Sequence, residues 1–320
     1  QLDVTPDVLI LGAGIAGMEA ALALASEDRK IYLVERSSEL GGVSAGFSRL
    51  LPRQGGDPEK IRSRIGEVEK NENIRIFKDS ELKSVIGFLG NYEVVVEGQD
   101  GEDPADLVVG AIIIATGFRL MDLREIPGFD FSDDDDVYSS MEIEKMLADS
   151  GSVAMKSGEA PKSAAFIHCA GRGEKGYCSQ ICCNYMLKLS GSIKEQSSSI
   201  EAVEYFRDLC LPHKKDQEFR DSVADAGVEL RRFSSIRIEG TTVIAEGMDG
   251  AESKQSYDMV IVAPAMCPAA GTGELAELME LPLHETGFFQ EAHQTTNPVG
   301  TATDGMFVIG AAQGPRGITS

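Results

Sequence analysis

Short apolar runs alternate with polar and amphipathic stretches along the whole chain, and the alternation predicts strand, helix, strand from the start. Residues 7–11 form an apolar run of the parallel-strand type. Residues 18–25 have helix-forming composition, and 30–35 read as the next strand. Residues 44–56 are rich in Gly, Ser and Arg and read as a loop. Asp57 as N-cap, with Pro58 at the first helical position, predicts a helix start. Strands are expected over 74–77, 92–96 and 107–115. Residues 128–140 form a polar connector. Ser139 or Ser140, ahead of Glu142 and Glu144, then caps a helix running to about Leu147. A second strand-first unit opens at 164–168, with a helix over 182–189, a strand over 202–206 and a helix over 216–226. Strands follow over 228–232, 259–263 and 306–310. There is no fixed-period repeat, but both halves follow a βαβ plan. The expected class is α/β, with two Rossmann-like dinucleotide-binding domains, one inserted into the other.

The first turn carries chemistry. Gly12-Ala-Gly14-Ile15-Ala16-Gly17 follows an expected strand and opens an expected helix. Its glycines allow a tight turn, close approach of a pyrophosphate, and helix–strand packing. The helix N-terminus supplies N–H groups and positive dipole. Glu35 closes the second strand, where a carboxylate holds ribose hydroxyls, with Arg36 beside it. A lone GxGxxG is a weak signal; here strand, helix and acid agree.

Three further pieces bear on which dinucleotide binds. Glu39-Leu-Gly41-Gly42 lies just past the acidic strand. Ile112-Ile-Ile-Ala115-Thr116-Gly117 is a buried strand running into a glycine turn. Thr303-Asp304-Gly305-Met-Phe-Val-Ile-Gly310 is a second strand ending on glycine. Together they resemble the motif set of the FAD and NAD(P)-linked disulfide (thioredoxin) reductase superfamily, which implies FAD. That superfamily usually has Asp after the last glycine; here Ala311 follows, so backbone N–H groups would serve instead. It also places a helix after the segment Gly314-Pro315-Arg316-Gly317, where this sequence stops at Ser320. Arg53 and Gln54, in the loop after Gly42, are candidates to approach the flavin ring, against the plainer reading of a solvated loop.

The second unit holds a literal GxGxxG as well, Gly171-Arg-Gly173-Glu-Lys-Gly176, with Glu201 and Glu204 at roughly ribose distance. Cysteines crowd the same place. Cys169 stands at the strand end, and Cys178, Cys182 and Cys183 at the helix start, spaced C-x8-C-x3-C-C. Four thiolates are the usual ligand set of a [4Fe–4S] cluster. A helix N-terminus favours thiolates. Cys178 and Cys182 share a helix face. Cys183 is rotated by about 100° from Cys182 on a regular helix, so geometry alone leaves it the least secure ligand. Structural zinc, a redox disulfide such as Cys178 with Cys182, and inert burial remain alternatives. Cys210 and Cys267 are isolated and are expected to pack in apolar surroundings.

Charge narrows the partners. The formal net charge of −22 argues against nucleic acid and against an anionic membrane surface. The run from Asp133 to Asp136 lacks the alternating ligand spacing of a calcium loop. The apolar stretch 8–25 is interrupted by Gly12, Gly14 and Gly17 and charged by Glu19, so direct membrane insertion is not expected. Six cysteines are too few for a disulfide scaffold in 320 residues, and a cytoplasmic location is expected. His168 lies in a buried strand, and His213, His284 and His293 lack an activating partner in the sequence. No catalytic residue is assigned.

Four stretches resemble the heterodisulfide reductase A-type family: Phe166-Ile-His-Cys169, Tyr177-Cys-Ser-Gln-Ile-Cys-Cys183, Gly287-Phe-Phe-Gln-Glu-Ala-His293 and Gly310-Ala-Ala-Gln-Gly-Pro315. The resemblance implies that Cys169, Cys178, Cys182 and Cys183 all hold a [4Fe–4S] cluster, with FAD as the central cofactor. It implies an oxidoreductase subunit that transfers electrons between flavin, cluster and partner B- and C-like subunits, and a homodimer. Extra ferredoxin-like domains and a cysteine pair after Gly42 are missing, so the chain resembles the short bacterial subunits of sulfur oxidation. A quinone-linked relative of sulfate reducers and a self-contained NAD(P)H-dependent flavin disulfide reductase are the alternatives; a zinc scaffold is a third. The expected boundaries are 1–125 with 285–320 for the FAD domain, and 126–284 for the inserted domain.

Overall fold

The computed structural model describes residues 4–51, 57–98 and 104–318. The described residues divide into two compact units, each interrupted in sequence: 1–45 with 58–119 and 267–320, and 46–57 with 120–266.

In the first unit, β1 (Val8–Leu11), α1 (Ile15–Leu24) and β2 (Ile31–Val34) form a parallel βαβ. Then come α2 (Glu59–Lys70), β3 (Ile74–Phe77), β4 (Ser80–Phe88), β5 (Asn91–Gly98), β6 (Ala105–Val109), β7 (Ala111–Ile114) and β8 (Phe118–Leu120). The parallel sheet has the order β18-β7-β1-β2-β3, where β18 is Met306–Val308. β1 is central and fully buried, and its side chains alternate between two cores. Val8 and Ile10 pack with Met18, Ala21, Leu33 and Val68 on the helix side. Leu9 and Leu11 pack with Leu82, Val94, Val109 and Phe289 on the side of the antiparallel sheet β4-β5-β6. Each such buried aliphatic contributes about 2 kcal/mol.

The run expected as one strand over 107–115 is two. β6 and β7 belong to different sheets and part at Gly110. A Cβ on Gly110 would stand 2.1 Å from the Thr5 carbonyl oxygen, so only glycine lets the chain turn there.

The second unit repeats the plan. It contains β9 (Phe129–Asp130), β10 (Val137–Ser139), α3 (Ser140–Ser150), β11 (Ser163–Ala170), α4 (Arg172–Lys175), α5 (Cys182–Gln196), β12 (Glu201–Phe206) and α6 (Asp216–Asp225). β13 (Val228–Glu239), β14 (Thr242–Gly247), β15 (Glu252–Ser256) and β16 (Met259–Pro264) complete its sheet. The order is β10-β16-β11-β12-β13-β14-β15, with β9 also on β13. Ser139 is the helix cap, in a full capping box with Glu142. β17 (Met266–Pro268) pairs with β8, and α7 (Thr272–Leu278) follows.

The inserted unit begins and ends earlier than the expected 126 and 284. Residues 267–284 belong to the first unit because Ala276, Met279 and Leu281 are buried in its core. The loop after Gly42 also divides. From residue 46 it belongs to the second unit, where Ser48 donates to Glu144 and Lys188 donates to the Arg49 carbonyl.

Candidate functional site

The glycine turn sits at the carboxyl end of β1, where open α/β sheets bind their ligands. Gly12 has φ +99°, and a Cβ on it would lie 2.5 Å from the Ala115 oxygen. A Cβ on Gly17 would lie 1.9 Å from the Gly12 oxygen. At Gly14, by contrast, a Cβ would meet no described atom within 4 Å. α1 starts at Ile15 and Ala16 with no side-chain cap among the described residues, so its N-terminus faces that opening with its dipole unshared. Glu35 is fixed just past β2. One carboxylate oxygen accepts from the Ala13 amide (2.8 Å), the other from the Ser37 amide and hydroxyl (both 2.9 Å).

The other glycine motifs converge on the same turn. Gly41 pairs with Gly14 as a parallel bridge, and its amide donates to the Ala13 oxygen at 2.8 Å. Gly42 (φ +55°) comes so close that a Cβ would be 3.2 Å from the Gly14 Cα. Ala115, Thr116 and Gly117 leave β7 beside Gly12. The Thr116 hydroxyl is buried with no partner among the described residues, a donor left over for a ligand. Gly310 brings the end of β18 onto α1: a Cβ there would be 2.7 Å from the Ala16 Cβ. Ala311 lies in the 3-10 turn that follows. Arg36 donates to the Ala270 oxygen at 2.9 Å, so a structural bond accounts for at least part of its role. Arg53 and Gln54 lie outside the described residues. An opening at Gly14, an uncapped helix, an anchored acid and an orphan hydroxyl fit a dinucleotide.

In the second unit the corresponding turn is built differently. Cys169, the last residue but one of β11, has a φ of +60°, strained for a residue with a side chain. Gly171 and Gly176, both left-handed, bound the single turn α4. The helix therefore stops where α1 runs on, and α5 starts afresh at Cys182. The loop between is pinned by the Tyr177 hydroxyl to the Met266 oxygen (2.7 Å) and by the Met266 amide to the Ser179 hydroxyl (3.0 Å). Glu204, at ribose distance in the sequence, is fully buried and bonded to His168.

Cys169, Cys178 and Cys182 line one pocket, with Arg172, Ser179, Ala263 and Ala265. Among the described residues no group of three or more His, Cys, Asp or Glu side chains is placed to hold a metal ion. Cys183 faces inward from the same helix end. Its sulfur accepts from the Cys210 amide at 3.3 Å, and it contacts Cys182 and His168. The Gln180 amide likewise donates to the Cys178 sulfur at 3.3 Å.

The electrostatics follow from this crowding. The Cys182 thiol pushes Cys183 below the ordinary thiol range, with His168 and the Cys210 amide adding to the effect against burial. Cys182 is raised well above the thiol range by Cys183, by burial, and by Cys169 and Cys178. Burial alone would depress His168; Cys183 and Glu204 outweigh it and hold the ring up to about 10. Soft thiols gathered at one turn are the donor chemistry an iron–sulfur cluster takes; three of the four line the pocket and Cys183 does not. Cys210 packs against the core of the second unit as expected, and its backbone amide, on a loop beyond the next strand, donates to the Cys183 sulfur.

The profile described as pyridine nucleotide-disulphide oxidoreductase matches residues 6–319. The chain is 26% identical to the A-type component of the H(2):CoB-CoM heterodisulfide,ferredoxin reductase of Methanothermobacter marburgensis, over 99% of this chain and 62% of that protein. It is 26% identical to the second A-type iron-sulfur component of the CoB--CoM heterodisulfide reductase of Methanopyrus kandleri, over 100% of this chain and 63% of that protein. The chain thus spans about three-fifths of the length of these relatives. Among solved structures, the thioredoxin reductase of T. acidophilum has a TM-score of 0.64 at 15% identity, covering 98% of this chain and 94% of that one. That of Lactococcus lactis gives 0.64 at 16%, covering 98% and 93%. These two speak for the fold.

Proposed function

The chain belongs to the pyridine nucleotide-disulphide oxidoreductase family, and we propose that it is an electron-transfer subunit holding FAD and a [4Fe–4S] cluster in a heterodisulfide reductase-like complex. Membership of the family implies the flavin. The observation that carries the rest is the cysteine pocket at the point where a second nucleotide turn would be. When bound, the flavin supplies two-electron exchange and the cluster carries single electrons.

This chain's own residues then have separate tasks. Gly14 and the N-terminus of α1 take the pyrophosphate, Glu35 the ribose, and Thr116 a further polar group. Gly41 and Gly42 lie over the turn, and Gly310 closes on it from β18. Ala311 leaves the next contact to backbone N–H groups. Cys169, Cys178, Cys182 and Cys183 hold the cluster. Chemistry on the sulfur substrate belongs to partner subunits, resembling the B- and C-type components of such complexes. The setting is cytoplasmic sulfur metabolism with the chain as a homodimer. No helix of the described residues is long and apolar enough to cross a membrane.

The test is a pair of visible and EPR spectra on anaerobically reconstituted protein. Wild type is expected to show flavin plus cluster absorption, and Cys182→Ser flavin with the cluster signal lost or altered. Flavin alone in both sinks the proposal.

A further inference from the structure

The pocket lined by Cys169, Cys178 and Cys182 opens beside cations, in a chain whose formal net charge is −22. Cys169 and Cys178 are half-buried, so their side of the pocket meets solvent. Arg172 lines the pocket with them and reaches Asp208 at 3.4 Å. The other Asp208 oxygen accepts from Arg232 at 2.8 Å. Arg232 also donates through Nε to the Arg207 carbonyl at 2.9 Å. Three arginines, on α4, on the loop after β12 and on β13, therefore gather round one aspartate.

The loop after β12 also carries Lys214 and Lys215, and it is fastened to the start of α5. The Cys210 amide donates to the Cys183 sulfur (3.3 Å). The His213 amide (3.2 Å) and the Asn184 side chain (3.0 Å) both donate to Asp216. Arg207, Lys214 and Lys215 are exposed, and none of their side chains forms an ion pair among the described residues. β11, β12 and β13 are neighbours in one sheet, so these cations share its carboxyl edge. The acids on the loops there are Glu174, offset by Lys175, and Asp208; acids resume at Asp216, which is buried, and Glu218 on α6.

A cationic rim on a strongly acidic chain selects what can approach. Nucleic acid or an anionic membrane is extended, meets the charge of the whole chain and is repelled. A nucleotide phosphate finds no long helix dipole, because α4 is a single turn. A small acidic protein meets the rim alone, and the local field orients it before contact. Resting on the reading of the cysteines as cluster ligands, we propose that this rim is the docking surface for a small acidic electron-carrier protein. The carrier covers Cys169 and Cys178. One electron then passes between cluster and carrier, oxidising the one as it reduces the other.

The probe is an acidic flavodoxin, titrated calorimetrically into the flavin- and cluster-loaded protein at about 10 mM salt, where screening is weak. Arg207→Gln with Lys214→Gln and Lys215→Gln should weaken binding roughly 10-fold and flatten its salt dependence. Lys70→Gln with Lys145→Gln and Lys162→Gln makes the same change of net charge at exposed positions elsewhere. That control should change binding less than roughly twofold. Equal weakening by both triple variants, or none by the first, overturns the proposal and leaves the cluster reading standing. So does a wild type that does not bind the carrier. Displacement of the carrier by micromolar NADPH would make the rim a nucleotide site and overturn it as well. A wild type without iron or sulfide whose binding still drops in the first triple variant sinks the cluster reading and keeps the docking surface.

Discussion

Gly14 and Gly17 belong to one turn, yet an added methyl group meets opposite surroundings at the two positions. At Gly17 it would strike the Gly12 carbonyl oxygen; at Gly14 it enters open space. Gly14 also has φ −69°, which any residue adopts. Gly17→Ala should therefore destabilise the apoprotein by about 1–3 kcal/mol. Gly14→Ala should leave its unfolding free energy within about 0.5 kcal/mol and weaken FAD binding by roughly tenfold, about 1.4 kcal/mol. Urea unfolding of both apoproteins and a flavin titration check this. An apo Gly14→Ala that keeps full affinity would show that the opening serves something else. The turn itself was legible because strand, glycines, helix and Glu35 are close in sequence. The His168–Glu204 pair and the Cys210 amide on Cys183 were not, because the partners come from separate elements.

Between elements, a buried ion pair ties α5 to α3 in the second unit. Lys188 on α5 bonds Glu144 on α3, and both are nearly inaccessible. Glu144 also accepts from the Ser48 hydroxyl (2.8 Å), and Lys188 donates to the Arg49 oxygen (2.8 Å). The segment that leaves the Gly41–Gly42 region is thereby held on the helix that starts with the cysteines. Lys188→Met strands a buried carboxylate and should cost about 3–5 kcal/mol. Lys188→Met with Glu144→Leu should recover most of that, as read by denaturant midpoints. Equal losses in the two would mean that the pair is not the source. Element boundaries were legible where a cap or an apolar run marks them, as at Ser139 and β1. They failed at Gly110, where one apolar run serves two sheets. β15, with the sequence Glu-Ser-Lys-Gln-Ser, is largely exposed and carries no apolar alternation to announce it.

At the scale of the molecule, two units share one strand plan, and that likeness was legible as repeated βαβ starts. Residues 267–284 carry no sequence mark of the unit they join; the burial of Ala276, Met279 and Leu281 in the first unit's core decides it. The same likeness makes the second glycine sequence look like a nicotinamide site. The broken helix at Gly176 and the committed Glu204 argue otherwise. Mixing the flavin-loaded protein with NADH or NADPH in a stopped-flow instrument should accordingly leave the flavin oxidised on the timescale of turnover. Rapid bleaching would restore the nicotinamide-driven reading.

The most direct test counts iron, acid-labile sulfide and flavin in one anaerobically reconstituted sample. About four iron and four sulfide per FAD are expected. One FAD with no iron and no sulfide, or with a single zinc in their place, would contradict the account.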